Sequence, residues 1–146
     1  MIPCLIDDLV PSRQDRETMW RMIFEQCFGR KPDEQAPPYV GVTREDNGLT
    51  SGFMAGYWRD TTQFHIKWTG VMPAFRGANT NNIVFALLRT GMDFFGAHFY
   101  STSTVSTELV TQKVLTKMKF QVNGFHTDTN GIAYVDWIKR WRRSNG

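Results

Sequence analysis

Residues 73–82, PAFRGANTNN, join a strand-like run, QFHIKWTGVM, to a run of helical character, IVFALLRTGMDFFGAHF. A loop in that position feeds the start of a helix, where unpaired backbone N–H groups and the macrodipole offer about half a positive charge to an anion. Arg76 and Gly77 add a cation and a position without a side chain. The competing use of the same residues is capping, with Asn79 and Asn81 accepting from the first helical N–H groups. Asn tolerates left-handed backbone better than other non-glycine residues, yet its side chain can keep a phosphate away from the amides. Three side chains nearby can move protons. His65 lies on the strand that leads into the loop, and Glu45 and Asp60 flank neighbouring strands. A histidine on a strand also serves structural or solvent-facing roles, and His98 and His126 rank behind His65.

The elements that must position these groups are legible in the periodicity. LIDDLVPSRQDRETMWRMIFEQCFG begins extended and then turns helical, opened by Ser12 and stopped by Gly29, with Met19, Trp20, Ile23, Phe24 and Cys27 on one face. RKPDEQAPP, with three prolines, reads as a loop. YVGVTRED and TSGFMAGYWRD flank Asn47-Gly48, a hairpin signal. In TQFHIKWTGVM, Phe64, Ile66 and Trp68 alternate with His65, Lys67 and Thr69, which predicts one buried and one polar face. Ile83, Phe85, Leu87, Leu88, Met92 and Phe95 recur at helical spacing. HFYSTSTV reads as a strand, TELVTQKVLTKMKF as a helix with Leu109, Val110, Val114, Leu115 and Met118 apolar, and the chain closes in a hairpin around Asn130-Gly131. Strand, crossover helix and strand imply a parallel pair, and the hairpins imply antiparallel neighbours. The expected fold class is α/β (α+β): a mixed, mostly antiparallel twisted sheet flanked by helices, in one domain over 1–146.

Composition narrows the functions. With 146 residues and 41% hydrophobic content, the chain suits one domain with one sizeable core. It has no apolar run long enough to span a membrane, and Asp7 and Asp8 sit where a signal peptide would be basic, so a cytoplasmic protein is expected. Cys4 and Cys27 have neither metal-ligand spacing nor the number for a disulfide framework; buried reduced thiols are expected and no metal site. The net charge of +3 is concentrated late, with Lys139, Arg140, Arg142 and Arg143 interleaved with Trp137 and Trp141. That tail is either a solvated basic end or a place for a nucleic acid to stack.

VMPAFRGANTNNIVFALL, followed by FYSTSTV and KVLTKMKF, resembles the GNAT N-acetyltransferase superfamily, in which a strand, a pyrophosphate loop and a helix precede a strand and a helix. The order of elements agrees over nearly all of the chain. The superfamily's loop reads Gln or Arg, two residues, Gly, one residue, then Gly or Ala. Laid on this chain it runs from Arg76 to Asn81, with Gly77 adjoining and Asn79 and Asn81 at the later small positions. The resemblance implies acetyl-CoA as co-substrate, held by Val71, Met72, Arg76, Gly77, Ala78, Asn79, Thr80 and Asn81, and an amine acceptor deprotonated by His65, Glu45 or Asp60, directly or through water. In the family pattern a Tyr on the last helix protonates the departing thiolate a few residues before a Gly-Phe pair. Here the pair falls on Lys119-Phe120 and the Tyr position on Leu115, leaving Tyr100 and Tyr134 as substitutes or as ordinary core aromatics. The activity implied is acetyl transfer to an amine. The alternative is a GNAT-like fold without catalysis, binding protein partners in an assembly as the small GNAT-like internal virion proteins of tailed phages do.

Overall fold

The first helix, α1 (Arg13–Phe28), starts and stops where its sequence requires: Ser12 Oγ accepts from Asp15 N at 3.1 Å, and Gly29 closes the last turn with φ 71°. The computed structural model describes residues 1–77 and 80–142, without the side chains of Thr80 and Asn81. Ala78, Asn79 and Arg143, and the side-chain roles expected of Thr80 and Asn81, therefore lie outside the described residues. Around α1 the chain supplies β1 (Ile2–Leu5), β2 (Tyr39–Arg44), β3 (Thr50–Trp58) and β4 (Gln63–Val71). Then follow α2 (Thr80–Phe95), β5 (Phe99–Val105), α3 (Leu109–Lys117), β6 (Gln121–Thr127) and β7 (Ala133–Arg140).

Seven strands form one sheet in the order β1-β2-β3-β4-β5-β7-β6. Only β4 and β5 pair in parallel, because α2 carries the chain across between them; every other neighbour is antiparallel. Both Asn-Gly pairs lie at hairpin tips, but in five-residue loops. Glu45 N–H donates to Leu49 O and Gly48 N–H to Glu45 O; Asp128 N–H donates to Ile132 O and Gly131 N–H to Asp128 O. The left-handed residue of each loop is the glycine, at φ 84° and 80°. Each is thus a tight turn followed by a left-handed glycine, a position that a side chain would strain.

Alternation along β3 divides the core in two. Phe53 and Ala55 pack with Trp20, Ile23, Phe24 and Cys27 of α1, whereas Met54 packs with Leu88 and Met92 of α2 and Val114, Leu115 and Met118 of α3. Hence α1 covers one face, and α2 and α3 the other. Trp20 anchors the first core, 1% exposed and in ring contact with Phe24 and Phe53. No residue of β5, β6 or β7 belongs to the α1 core cluster. On that half of the sheet only the α2/α3 face is covered, with Tyr100, Val135 and Trp137 packing under α2 and α3.

One expectation from periodicity is corrected. Ala55 pairs with Trp68 but Gly56 with Ile66, so Lys67 is an extra residue on β4. This bulge moves Trp68 off the face of Phe64 and Ile66 and into the α1 cluster. Gly56 is required opposite it, since a Cβ there would lie 1.9 Å from His65 O. In α3, Val114, Leu115 and Met118 are buried, but Leu109 and Val110 are exposed at the first turn.

Candidate functional site

The β4–β5 ladder contains Gln63↔Phe99, Phe64↔Tyr100, His65↔Ser101 and Ile66↔Thr102, and stops there. Both strands continue, β4 to Val71 and β5 to Val105. The bulge at Lys67 falls where they part, because an unpaired extra residue bends its strand and raises the local twist. The result is a cleft between parallel strands, opening toward their carboxyl ends, the place where sheets of this kind take ligands.

At the far end of β4 the chain turns into the loop. Met72 N–H donates to Ser51 O, and a short 3₁₀ turn at Pro73–Phe75 uses Phe75 N–H on Met72 O and Arg76 N–H on Pro73 O. Arg76 Nε donates to Val71 O at 3.0 Å, and its Nη2 donates to Cys27 O near the end of α1. The Arg76 amide closes this turn, and its guanidinium ties the loop to β4 and α1. Val71 and Met72 likewise use these groups to anchor the loop, with Val71 buried and the Met72 sulfur 3.5 Å from Cys27 Sγ. At Gly77 a Cβ would meet nothing within 4 Å, three residues before α2 begins. Cys27 is buried, and its thiol is pushed up to about 11 by burial, partly offset by the charge and hydrogen bond of Arg76. Cys4 is only half-buried; both are free thiols.

The face that α1 leaves uncovered holds a polar cavity of about 300 Å³, lined by Arg59, His65, Ser101, Ser103, Asn123, His126 and Asp136, with Thr102 and Trp137. It runs from the base of the cleft across β5 to the terminal hairpin. Ser103 and Asp136 are register partners on β5 and β7, and Ser103 Oγ donates to Asp136 Oδ1 at 2.7 Å. His126 Nδ1 lies 2.9 Å from the same carboxylate, and the imidazole stacks on Tyr134 with ring centroids 4.9 Å apart. Burial raises the proton affinity of Asp136, but hydrogen bonds from Ser103 and His126 and the charges of His126 and Arg59 outweigh it, so its pKa is lowered. A carboxylate against Nδ1 holds a proton there and leaves Nε2 as the acceptor.

His65 is in the same cavity but in a different environment. It is 9% exposed, its Nδ1 is 2.9 Å from Ser101 Oγ, and Ser101 also accepts from Gln63 Nε2. Burial, aided by the charge of Arg59, pushes its pKa down to about 4. A base that weak is a poor match to proton transfer near neutral pH.

The other candidates sit elsewhere. Tyr100 is fully buried, its hydroxyl donating to Met92 O and accepting from Ala97 N, so it cannot meet a thioester without leaving the core. Leu115, at the family's Tyr position, is buried under α3. Tyr134 stacks on His126 and donates its hydroxyl to Asp128 Oδ2. Asp60 accepts from Thr62 N and Gln63 N in the β3–β4 turn, and Glu45 pairs with the Met1 amino group at 3.1 Å, so both do structural work. His98 holds the ends of strands: its N–H donates to Thr62 O and its carbonyl accepts from Trp141. Among the basic residues at the end of β7, Lys139 lies 5.8 Å from the Trp141 ring centroid, and Trp141 Nε1 donates to Asp93.

Sequence reasoning missed Arg59, Ser101, Ser103, Asn123 and Asp136. The available signal was the register of the terminal hairpin: with Gly131 at its tip, His126 falls opposite Tyr134, two residues from Asp136.

No protein-family model matches this sequence, and no curated protein matches it significantly. Solved structures do match in fold. An N-acetyltransferase from Staphylococcus aureus Mu50 superposes with a TM-score of 0.54 at 14% identity, covering 68% of this chain and 69% of that one. The yncA protein of Salmonella typhimurium, solved with its cofactor acetyl-CoA, gives 0.53 at 16% identity over 74% and 67%. Nourseothricin acetyltransferase gives 0.52 at 16% identity over 76% and 74%. The chain has the GNAT acetyltransferase fold, a mostly antiparallel seven-stranded sheet flanked by helices. Among the described residues, no helix is long and apolar enough to cross a membrane.

Proposed function

We propose that the protein transfers an acetyl group from acetyl-CoA to an amine, with the thioester in the cleft between β4 and β5 and the amine in the polar cavity at its base. The observation that carries this reading is the ladder that ends at Ile66↔Thr102 while both parallel strands run on. Strands that part in this way leave backbone edges for an extended pantetheine chain to lie along, and the solved neighbour that contains acetyl-CoA has the same fold. In this reading the pyrophosphate lies at the start of α2, beside Gly77, which has no side chain to keep it away.

His126 is the base in this reading, and Asp136, held by Ser103, fixes its tautomer. The bound ammonium gives one proton to Nε2 of His126, which passes it to water. The freed nitrogen lone pair forms the C–N bond to the acetyl carbonyl as the C–S bond breaks. The second nitrogen proton leaves through water and the thiolate takes one, giving an amide, CoA thiol and one released proton. His65 and Ser101 stay neutral and line the floor, and no side chain is needed to protonate the thiolate beyond water.

Calorimetric titration with acetyl-CoA and with CoA tests this without knowledge of the amine. Micromolar binding is expected, weakened more than about tenfold in a folded Gly77→Val variant, a change of about 1.4 kcal/mol. The open space at Gly77 lets valine be accommodated in the free protein, so lost binding would report the site rather than unfolding. No binding by the parent would contradict acetyl transfer and favour a non-catalytic binding role for the fold.

A further inference from the structure

We propose that the acceptor is an amine carrying an anionic group in the same molecule, the chemistry of an amino acid, with its anionic group on Arg59 and its nitrogen at the His126–Asp136 pair. This deepens, and rests on, the reading of the cleft as an acetyl-transfer site.

Arg59 is exposed at the end of β3 and lines the cavity with His65 and Asp136. Among the described residues its guanidinium makes no salt bridge and no side-chain hydrogen bond; its backbone N–H alone is engaged, on Gln63 O. Its charge reaches the site, favouring the ionised form of Asp136 and the neutral form of His65. A planar, permanently charged fork that makes no salt bridge at a concave polar site suits a carboxylate, which it can grip with two parallel hydrogen bonds. The opposite wall carries the reverse polarity: an ionised Asp136, with Ser103 and His126 as its hydrogen-bond partners. Ser101 and Asn123 complete a lining that suits a small polar molecule, and about 300 Å³ is ample for one.

The polarity also selects against other amines. A diamine or polyamine would set a second ammonium against Arg59, a like-charge contact in a partly enclosed site. A simple uncharged-tail amine would leave the guanidinium unanswered. Only an acceptor with charge of both signs satisfies both walls.

The test pairs each standard amino acid with the amine left by its decarboxylation, histidine with histamine for example, and follows thiol release from acetyl-CoA. Where a pair is turned over, the amino acid is expected to exceed its amine in kcat/KM by at least about tenfold, the worth of a charged hydrogen-bonded pair. Arg59→Gln should raise the KM for the amino acid by a similar factor, so that its advantage over the amine is lost, and leave acetyl-CoA affinity as it was. Amines preferred over their amino acids, or an Arg59→Gln variant indistinguishable from the parent, would overturn the proposal while leaving acetyl transfer standing. If acetyl-CoA binds but nothing in the panel is turned over, amino acids added to the CoA-loaded protein must still shift the amides of Ser103, Asn123 and Asp136. Silence there overturns it too. Failure of acetyl-CoA to bind in the first place is read separately and sinks the underlying reaction.

Discussion

On one face of the sheet, β2, β3 and β4 lie under α1, while β5, β7 and β6 carry no such helix. Under α1 the inward residues are Val40, Val42, Phe53, Ala55 and Trp68, closed by Trp20 and Phe24. On the open half the equivalent positions are Ser101, Ser103 and Asp136, with His126 beside them. Both halves obey the same alternation, and what differs is the reward for burial. An apolar side chain gains by leaving water only if something covers it, whereas a polar one costs little where water reaches it, as at Asp136, or where hydrogen bonds answer it, as at the buried Ser101. The half that needs no apolar lining is therefore the half free to hold groups for chemistry, and the bulge at Lys67 opens the cleft at the seam between the two.

Four substitutions or conditions sharpen this contrast. Trp20→Ala, in the covered half, should cost about 4 kcal/mol, because a fully buried indole leaves a cavity that α1 cannot collapse into. Urea denaturation would show it, and a loss below about 1 kcal/mol would mean that α1 is not the clamp described. Lowering the pH tests the seam. His65 is neutral when folded down to about 4, whereas the unfolded chain takes up that proton near pH 6.5. Its contribution is therefore present in full above pH 6.5 and is lost as the pH falls to 4, a decline of about 3 kcal/mol. Denaturation midpoints across that window should fall in the parent, with a shallower decline in His65→Gln; equal slopes would contradict the buried, neutral state.

In the open half the expected signature is reversed. Asp136→Asn should leave stability nearly unchanged while lowering kcat/KM, followed as thiol release with the acceptor from the amino acid panel, by about a hundredfold, or ~2.7 kcal/mol. A variant that unfolds, or one that keeps full activity, would blur the division of labour. The smallest effect is at Lys119, the one non-glycine residue with positive φ (69°) among the described residues. It ends α3 with its N–H on Thr116 O while Phe120 N–H reaches back to Leu115 O, the arrangement that favours glycine. Lys119→Gly should stabilise by about 1 kcal/mol in thermal unfolding, and a loss would mean that the lysine side chain does more than tolerate its backbone.

That lysine also shows how the sequence was legible. The Gly-Phe pair of the family pattern falls on Lys119-Phe120, and the backbone there adopts a glycine-like conformation although the residue is lysine. Element order, the parallel pair and both hairpin tips followed from apolar period and Asn-Gly signals, since those are local. The bulge was not legible: nothing in HIKWTG marks Lys67 as extra, and only pairing with Gly56 reveals it. His65 and Tyr100 drew attention as lone titratable residues on strands, yet burial and core hydrogen bonds decided their states, and these are set by distant partners. Asp136 drew none, because a carboxylate in a terminal strand acquires meaning only when register brings Ser103 and His126 to it.

The most direct test of the account is to map acetyl-CoA onto the backbone amides by two-dimensional NMR. The amides of Lys67 to Val71, Gly77 and Ser103 should shift along the cleft and at its seam with the open half, while those of Lys119 and Lys139, at the opposite end of β5 and β7, stay still. No shifts at saturating acetyl-CoA, or shifts confined to the basic residues around Lys119 and Lys139, would contradict a site at the parting of β4 and β5.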